Sequence, residues 1–231
     1  VRDVVLSYLF GASQVADMFF VALRIPNFFR RLFAEGAFSQ AFVPVLMQYK
    51  AAGRAPLLSF IRSLSGLFAS ALALVVALGV LFAPVLTALF APGFLDQPDV
   101  YRQTSELVRI TFPYLGLISL TAYAAALLNA HGRFALPAAT PVLLNISLML
   151  AAAIAIFGWV DAQPVVVVAW GVMVAGIAQL LVQLPTLGRL GLLQRPNMDT
   201  KQEGVRQVGK LLLPAVFAAS VAQINALVNT I

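Results

Sequence analysis

Two stretches of this chain, residues 134–158 and 164–188, carry no charged side chain, and a third, 57–90, carries only Arg62. A helix needs about 20 apolar residues to cross the hydrocarbon core of a bilayer. Each stretch is long enough, and a fourth, 100–130, follows the same pattern with its charges gathered near its start. Only 10% of the 231 residues are charged and 61% are hydrophobic, whereas soluble domains carry about 25% charge. In lipid every backbone polar group must be satisfied internally, so these segments are expected to be helices. The expectation is an all-α, polytopic transmembrane bundle.

The turn signals divide the chain further. Residues 1–10 read as the tail of a first spanning helix, and Gly11, Ala12 and Ser13 as a tight connection. Residues 14–49 read as one long broken element. Fully helical, it would extend about 54 Å against a core of about 30 Å. Pro26 and Pro44 are the natural kink points, and Glu35-Gly36 a break. Further helices are expected over 57–90, 100–130, 134–158 and 164–188, then a polar connector over 189–203, then a last helix from Gly204. Both Val1 and Ile231 fall in apolar runs, which reads as a piece of a longer membrane protein. Gly66 and Ser70 form a small-xxx-small pair that permits close helix contact.

Loop charges set the expected orientation. Lys50, Arg54, Arg62, Arg133, Arg189, Arg195, Lys201, Arg206 and Lys210 fall on one side of an alternating topology, and Arg102 and Arg109 on the other. The basic side is then cytoplasmic. The net charge of +6 reflects this bias together with cations inside the membrane, rather than a nucleic-acid surface.

Arg24, Arg30, Arg31 and Glu35 stand out because they interrupt an otherwise apolar run, and Arg2, Asp3 and Asp17 precede them. An Arg at membrane depth costs about 2.5–3.5 kcal/mol on insertion scales. The group points to a water-filled cavity for a phosphate-bearing substrate, since guanidinium forks match phosphate oxygens. The plainer alternative is that some of them snorkel or balance the local acids. On an ideal helix Asp17, Arg24 and Arg31 share a face, and Arg31 and Glu35 are spaced for pairing. Arg109 is expected near the outer interface. Pro113, Pro141 and Pro214 mark bends, and Asn129, Asn145, Gln179, Gln183, Gln223 and Asn225 read as interhelical hydrogen-bonding groups. With no Cys and one His, His131, disulfide and thiolate-metal frameworks are excluded, and a lipid phosphatase or transferase lacks its usual acids and bases.

The run RIPNFFRRLFAEGAFSQAFVPV over residues 24–45 closely resembles the signature of the MurJ (MviN) family, bacterial lipid II flippases of the MOP exporter superfamily. The similarity continues through Thr111-Phe112-Pro113-Tyr114, Leu128-Asn129-Ala130, Arg133-Phe134, Pro137-Ala138, the run 143–147, Gln183-Leu184-Pro185 and the ending Asn229-Thr230-Ile231. The resemblance implies two six-helix lobes around a central cavity, with residues 1–203 forming the N-terminal lobe and 204–231 the start of helix seven. It implies the flipping of lipid II, a polyprenyl diphosphate bearing the cell-wall precursor, across the bacterial inner membrane by alternating access, with no enzymatic step. By motif position Arg2 and Arg30 correspond to diphosphate-binding arginines, while Asp17 corresponds to the family's acid on helix two. Glu35 and Gly36, with Pro26, belong to a gate or hinge. Arg24 stands where the family often has Lys. The helical wheel favours Arg31 as the partner of Asp17 and Arg24, whereas the motif favours Arg30. No cofactor is implied, and coupling to Na⁺ or H⁺ stays open. Export of another polyprenyl-linked oligosaccharide or lipid, drug export, and a scaffold role in cell-wall synthesis are the alternatives.

Overall fold

The computed structural model describes residues 9–11, 13–30 and 38–228. Every regular element among them is helical: α1 (Gln14–Arg30), α2 (Phe38–Ala51), α3 (Arg54–Leu81), α4 (Ala83–Phe90), α5 (Pro98–Thr111), α6 (Tyr114–Ala130), α7 (Ala135–Ile156), α8 (Pro164–Leu181), α9 (Leu184–Arg189) and α10 (Glu203–Val228), with a 3₁₀ turn at Pro92–Phe94. Among the described residues, four stretches have the length and hydropathy of membrane spans: Arg54–Leu81, Pro98–Ala130, Ala135–Ile156 and Pro164–Arg189. In the first and third, mean hydropathy is 2.4 and 2.1, yet only 22% of the span is buried. A surface that apolar belongs in lipid.

The expected long helices are present, but three are interrupted beside a proline. Phe82 separates α3 from α4, which carries Pro84 in its first two positions. Phe112 and Pro113 separate α5 from α6. Val182 and Gln183 separate α8 from α9, which has Pro185 near its start. A proline has no N–H to donate and crowds the preceding turn. Phe112 and Gln183 nevertheless keep helical dihedrals, so those two breaks bend a span without ending it. Pro26, Pro44, Pro141 and Pro214 sit inside unbroken helices. The 14–49 stretch comprises α1 and α2. The Glu35-Gly36 break expected between them lies outside the described residues, as do Arg2, Arg31 and the side chains of Gln223 and Asn225.

The chain divides into two compact units. Unit 1 gathers Val1–Asn27, Val75–Leu117 and Ala139–Gln179; unit 2 gathers Phe28–Leu74, Ile118–Ala138 and Leu180–Ile231. Without a hydrophobic drive between helices in lipid, close packing and polar pairs hold a bundle together. Unit 1 shows both. Gly176 is a notch: a Cβ there would lie 2.8 Å from the Tyr114 ring and 3.0 Å from Leu117. Nearby, the Gln179 amide donates to the Thr140 carbonyl at 3.0 Å, and Ser147 Oγ donates to the Gly171 carbonyl at 2.7 Å. Gln179 thus bridges helices as the sequence reading expected, while Asn145 reaches only its own helix, at Pro141 O.

Unit 2 is built on aromatic rings. Phe38, Phe42, Phe60 and Tyr123 are buried together with Val45, Leu46 and Leu128. Tyr49 stacks on Phe60 at 4.6 Å and Phe38 on Phe68 at 4.2 Å. Rings stacked in this range contribute about 0.5–1.5 kcal/mol beyond area burial. The start of α10 packs on α2: a Cβ at Gly204 would lie 2.5 Å from Tyr49 and 2.8 Å from Phe60. The Gly66 notch is filled by backbone from the 192–202 connector, since an added Cβ would lie 2.9 Å from Asn197 N and closer still to its carbonyl. The Asn197 amide donates to Arg62 O at 3.0 Å. That glycine therefore receives a loop rather than a neighbouring helix, and Ser70 returns its hydroxyl to Gly66 O within α3.

Candidate functional site

Helix α1 carries the cations that the sequence singled out. Ala16, Met18, Phe19, Ala22, Ile25 and Pro26 are buried, and these apolar positions recur at helical spacing, so one side of α1 faces the core of unit 1. Asp17, Phe20 and Arg24 are exposed, at spacings of three and four, on the other side. The expected shared face of Asp17 and Arg24 is therefore present. The two lie about 10.5 Å apart along the axis, and among the described residues no ion pair joins them. Arg30, half-buried, closes the last turn of α1 and falls in unit 2, whereas Asp17 and Arg24 fall in unit 1.

Pro26 has a specific local effect. Its missing N–H leaves the carbonyl four residues earlier, Ala22 O, without its helical partner. The Thr111 hydroxyl, fully buried at the end of α5, donates to that carbonyl at 2.8 Å, with Leu107 O of its own helix at 3.0 Å. A threonine serving a proline-freed carbonyl is the kind of compensation that membrane helices require. Sequence reasoning did not find it, because Thr111 and Ala22 are far apart in the chain. The only available signal was a buried-side threonine beside Pro113.

Within unit 1, α5 lies alongside α1 and runs in the same direction. Gln14 Nε2 donates to Gln97 Oε1 at one end, and Thr111 meets Ala22 further along. Arg102, Glu106 and Arg109 form an exposed row on α5. All three residues lie in the first half of the span-length stretch Pro98–Ala130. No cluster of three or more potential metal ligands occurs among the described residues.

Several apolar spans, three of them broken beside prolines, define a multi-pass helical membrane protein. Comparison with known proteins gives the family. The family described as "Lipid II flippase MurJ" matches residues 6–231. The chain is 43% identical to a "Probable lipid II flippase MurJ" of Haemophilus influenzae, covering 100% of this chain and 46% of the relative. It is 44% identical to the protein of the same description from Vibrio cholerae, with 100% and 45% covered. It is 39% identical to a "Lipid II flippase MurJ" of Burkholderia cenocepacia, with 99% and 45% covered. A solved structure described as "Lipid II flippase MurJ, inward closed conformation" superposes with a TM-score of 0.75 at 25% identity, over 97% of this chain and 45% of that one. The chain belongs to the MurJ lipid II flippase family, a bacterial family of membrane transporters and not of enzymes. It spans just under half the length of the relatives it matches.

Proposed function

We propose that this chain forms the first lobe of a flippase that carries lipid II from the inner to the outer leaflet of the bacterial inner membrane. The observation that carries this reading is α1: an apolar helix whose exposed side bears Asp17 and Arg24 and whose last turn bears Arg30. Lipid cannot cheaply solvate that side, since one Arg at depth costs about 2.5–3.5 kcal/mol. A hydrated cavity can, and a substrate diphosphate is the anion that would use it. Arg30 and Arg2 hold the diphosphate by forked hydrogen bonds; Arg24 and Arg31 add positive potential, and Asp17 tunes it. Pro26, with Glu35 and Gly36, forms the hinge of the gate.

Transport by alternating access needs a second lobe for this one to rock against, so the working unit is the full-length parent. Coupling to Na⁺, H⁺ or the membrane potential is compatible with charges at depth, one charge being worth about 2.3 kcal/mol per 100 mV. Cell-wall synthesis proteins are the natural partners of such an activity.

The test is growth rescue. Cells depleted of their own lipid II flippase receive the full-length parent with native Arg30 or with Arg30→Ala, at matched membrane levels. Rescue by the native form and loss in the variant is the expected result. Rescue by both removes Arg30 from the diphosphate site, and failure of both moves the assignment toward another polyprenyl-linked lipid.

A further inference from the structure

Unit 2 contains a cavity of about 660 Å³ where the corner between α6 and α7 meets the end of α9, lined by Arg133, Phe134, Ala135, Thr186, Arg189 and Leu190 among others. Its two arginines are set by matching helix ends. After α6, Gly132 takes φ +73°, and the Arg133 amide donates back to Leu128 O at 2.9 Å. After α9, Gly191 takes φ +68°, and the Leu192 amide donates back to Leu187 O at 3.0 Å. Both are left-handed glycine caps that fix the direction of the chain leaving the helix.

The ordinary role for an arginine at such a place is to complement the negative end of the helix. Here other cations fill it. Lys50 Nζ donates to Ala130 O at the end of α6, and Arg54 Nη2 donates to Leu190 O at the end of α9 at 3.2 Å. Arg133 and Arg189 are exposed, and among the described residues neither side chain makes a hydrogen bond or an ion pair. The 22-residue helix α7 begins in the same cavity at Ala135 with no acidic residue in its first turn. Two guanidinium groups and the positive end of a helix therefore converge with no anion among the described residues to balance them. Phe134, between Arg133 and the start of α7, is 63% exposed. The site lies at the ends of the spans Pro98–Ala130, Ala135–Ile156 and Pro164–Arg189, at the membrane surface rather than at its depth.

We propose that this cavity binds the phosphodiester headgroup of an anionic glycerophospholipid of the surrounding leaflet, with Arg133 and Arg189 on the phosphate oxygens and Phe134 against the acyl region. A lipid is favoured over a free anion because the charge sits at the ends of lipid-facing helices with an exposed aromatic ring beside it. The site shares no residue with α1 and stands whether or not the diphosphate reading does.

The test uses the full-length parent, stripped of lipid in neutral detergent, with native mass spectrometry to follow phosphatidylglycerol adducts. Phosphatidylcholine serves as the neutral control and inorganic phosphate as the free-anion competitor. Surface arginines each contribute about fivefold toward anionic lipid, so the pair Arg133→Gln with Arg189→Gln weakens the tightest phosphatidylglycerol adduct about thirtyfold. The charge-keeping Lys pair retains most of the affinity. Phosphatidylcholine binding is unchanged in all forms. Should the double Gln protein fail to fold, judged by its thermal midpoint without lipid, Arg133→Gln alone is read for its fivefold loss. Equal phosphatidylglycerol affinity in native and Gln proteins overturns the proposal, as does equal binding of the two lipids. Full displacement by inorganic phosphate overturns the lipid assignment in favour of a free-anion site.

Discussion

Arg24 and Arg30 on α1 and Arg133 and Arg189 at the ends of α6 and α9 are the same side chain in two settings. On α1 the arginines belong to a helix interrupted by neither a loop nor a glycine, and their charge is carried along its length. At the ends of α6 and α9 they flank glycine caps, Arg133 just after Gly132 and Arg189 just before Gly191, beside the N-terminus of α7. Setting, more than residue type, determines what an arginine can do in a membrane protein. In the proposed cavity an arginine acts on a substrate passing through. At an end it keeps its hydration and can hold a resident lipid.

Substitutions can break that contrast at both ends. The largest expected effect belongs to Arg30, whose loss should abolish growth rescue. Arg30→Lys separates charge from shape, because Lys keeps the charge but lacks the planar fork. Rescue by Lys that is intermediate in plating efficiency fits forked recognition, and full rescue shows that charge alone suffices. Next is Gly132→Ala. A left-handed backbone costs a residue with a Cβ roughly 1–2 kcal/mol, so the parent should lose that much stability in detergent melts, and the Arg133 lipid adduct should weaken with it. An unchanged melt would mean that the α6 cap relaxes freely. Comparable in size is Thr111→Val, which keeps the shape but strips the donor from the proline-freed Ala22 carbonyl. Leaving a buried acceptor unserved costs about 1–3 kcal/mol, and Pro26→Ala in the same protein should recover part of it by restoring the helical N–H. If the two changes simply add, the Thr111 hydroxyl is not serving that carbonyl. Smallest is the coupling between Asp17 and Arg24. A double-mutant cycle of melting free energies on Asp17→Asn and Arg24→Gln should give under about 0.5 kcal/mol, as for separated surface charges. A larger value would place them in one ion pair.

The sequence exposed the spans because apolar length is a one-dimensional property, and uncharged runs such as 134–158 need no partner to be read. The proline breaks were less legible. Pro84 and Pro185 interrupt spans that read as continuous, while Pro141 sits inside an unbroken helix. Asp17 and Arg24 were placed on a common face by spacing alone. The pairing of Thr111 with Ala22, and of Lys50 and Arg54 with the ends of α6 and α9, joins residues distant along the chain. Those contacts decide which arginines are already engaged, and no local pattern encodes them.

The connector between α9 and α10 has a mechanical consequence. Free, the eleven-residue stretch 192–202 could stretch to roughly 38 Å at about 3.5 Å per residue. The Asn197 amide fastens its middle to Arg62 O, with its backbone seated in the notch at Gly66. One long leash becomes two short ones of roughly 17 Å each. The start of α10 is itself seated against Tyr49 and Phe60, so each short leash runs between two fixed points. A side chain at Gly66 would unfasten the point on α3 and restore the long leash without altering a single residue of the connector.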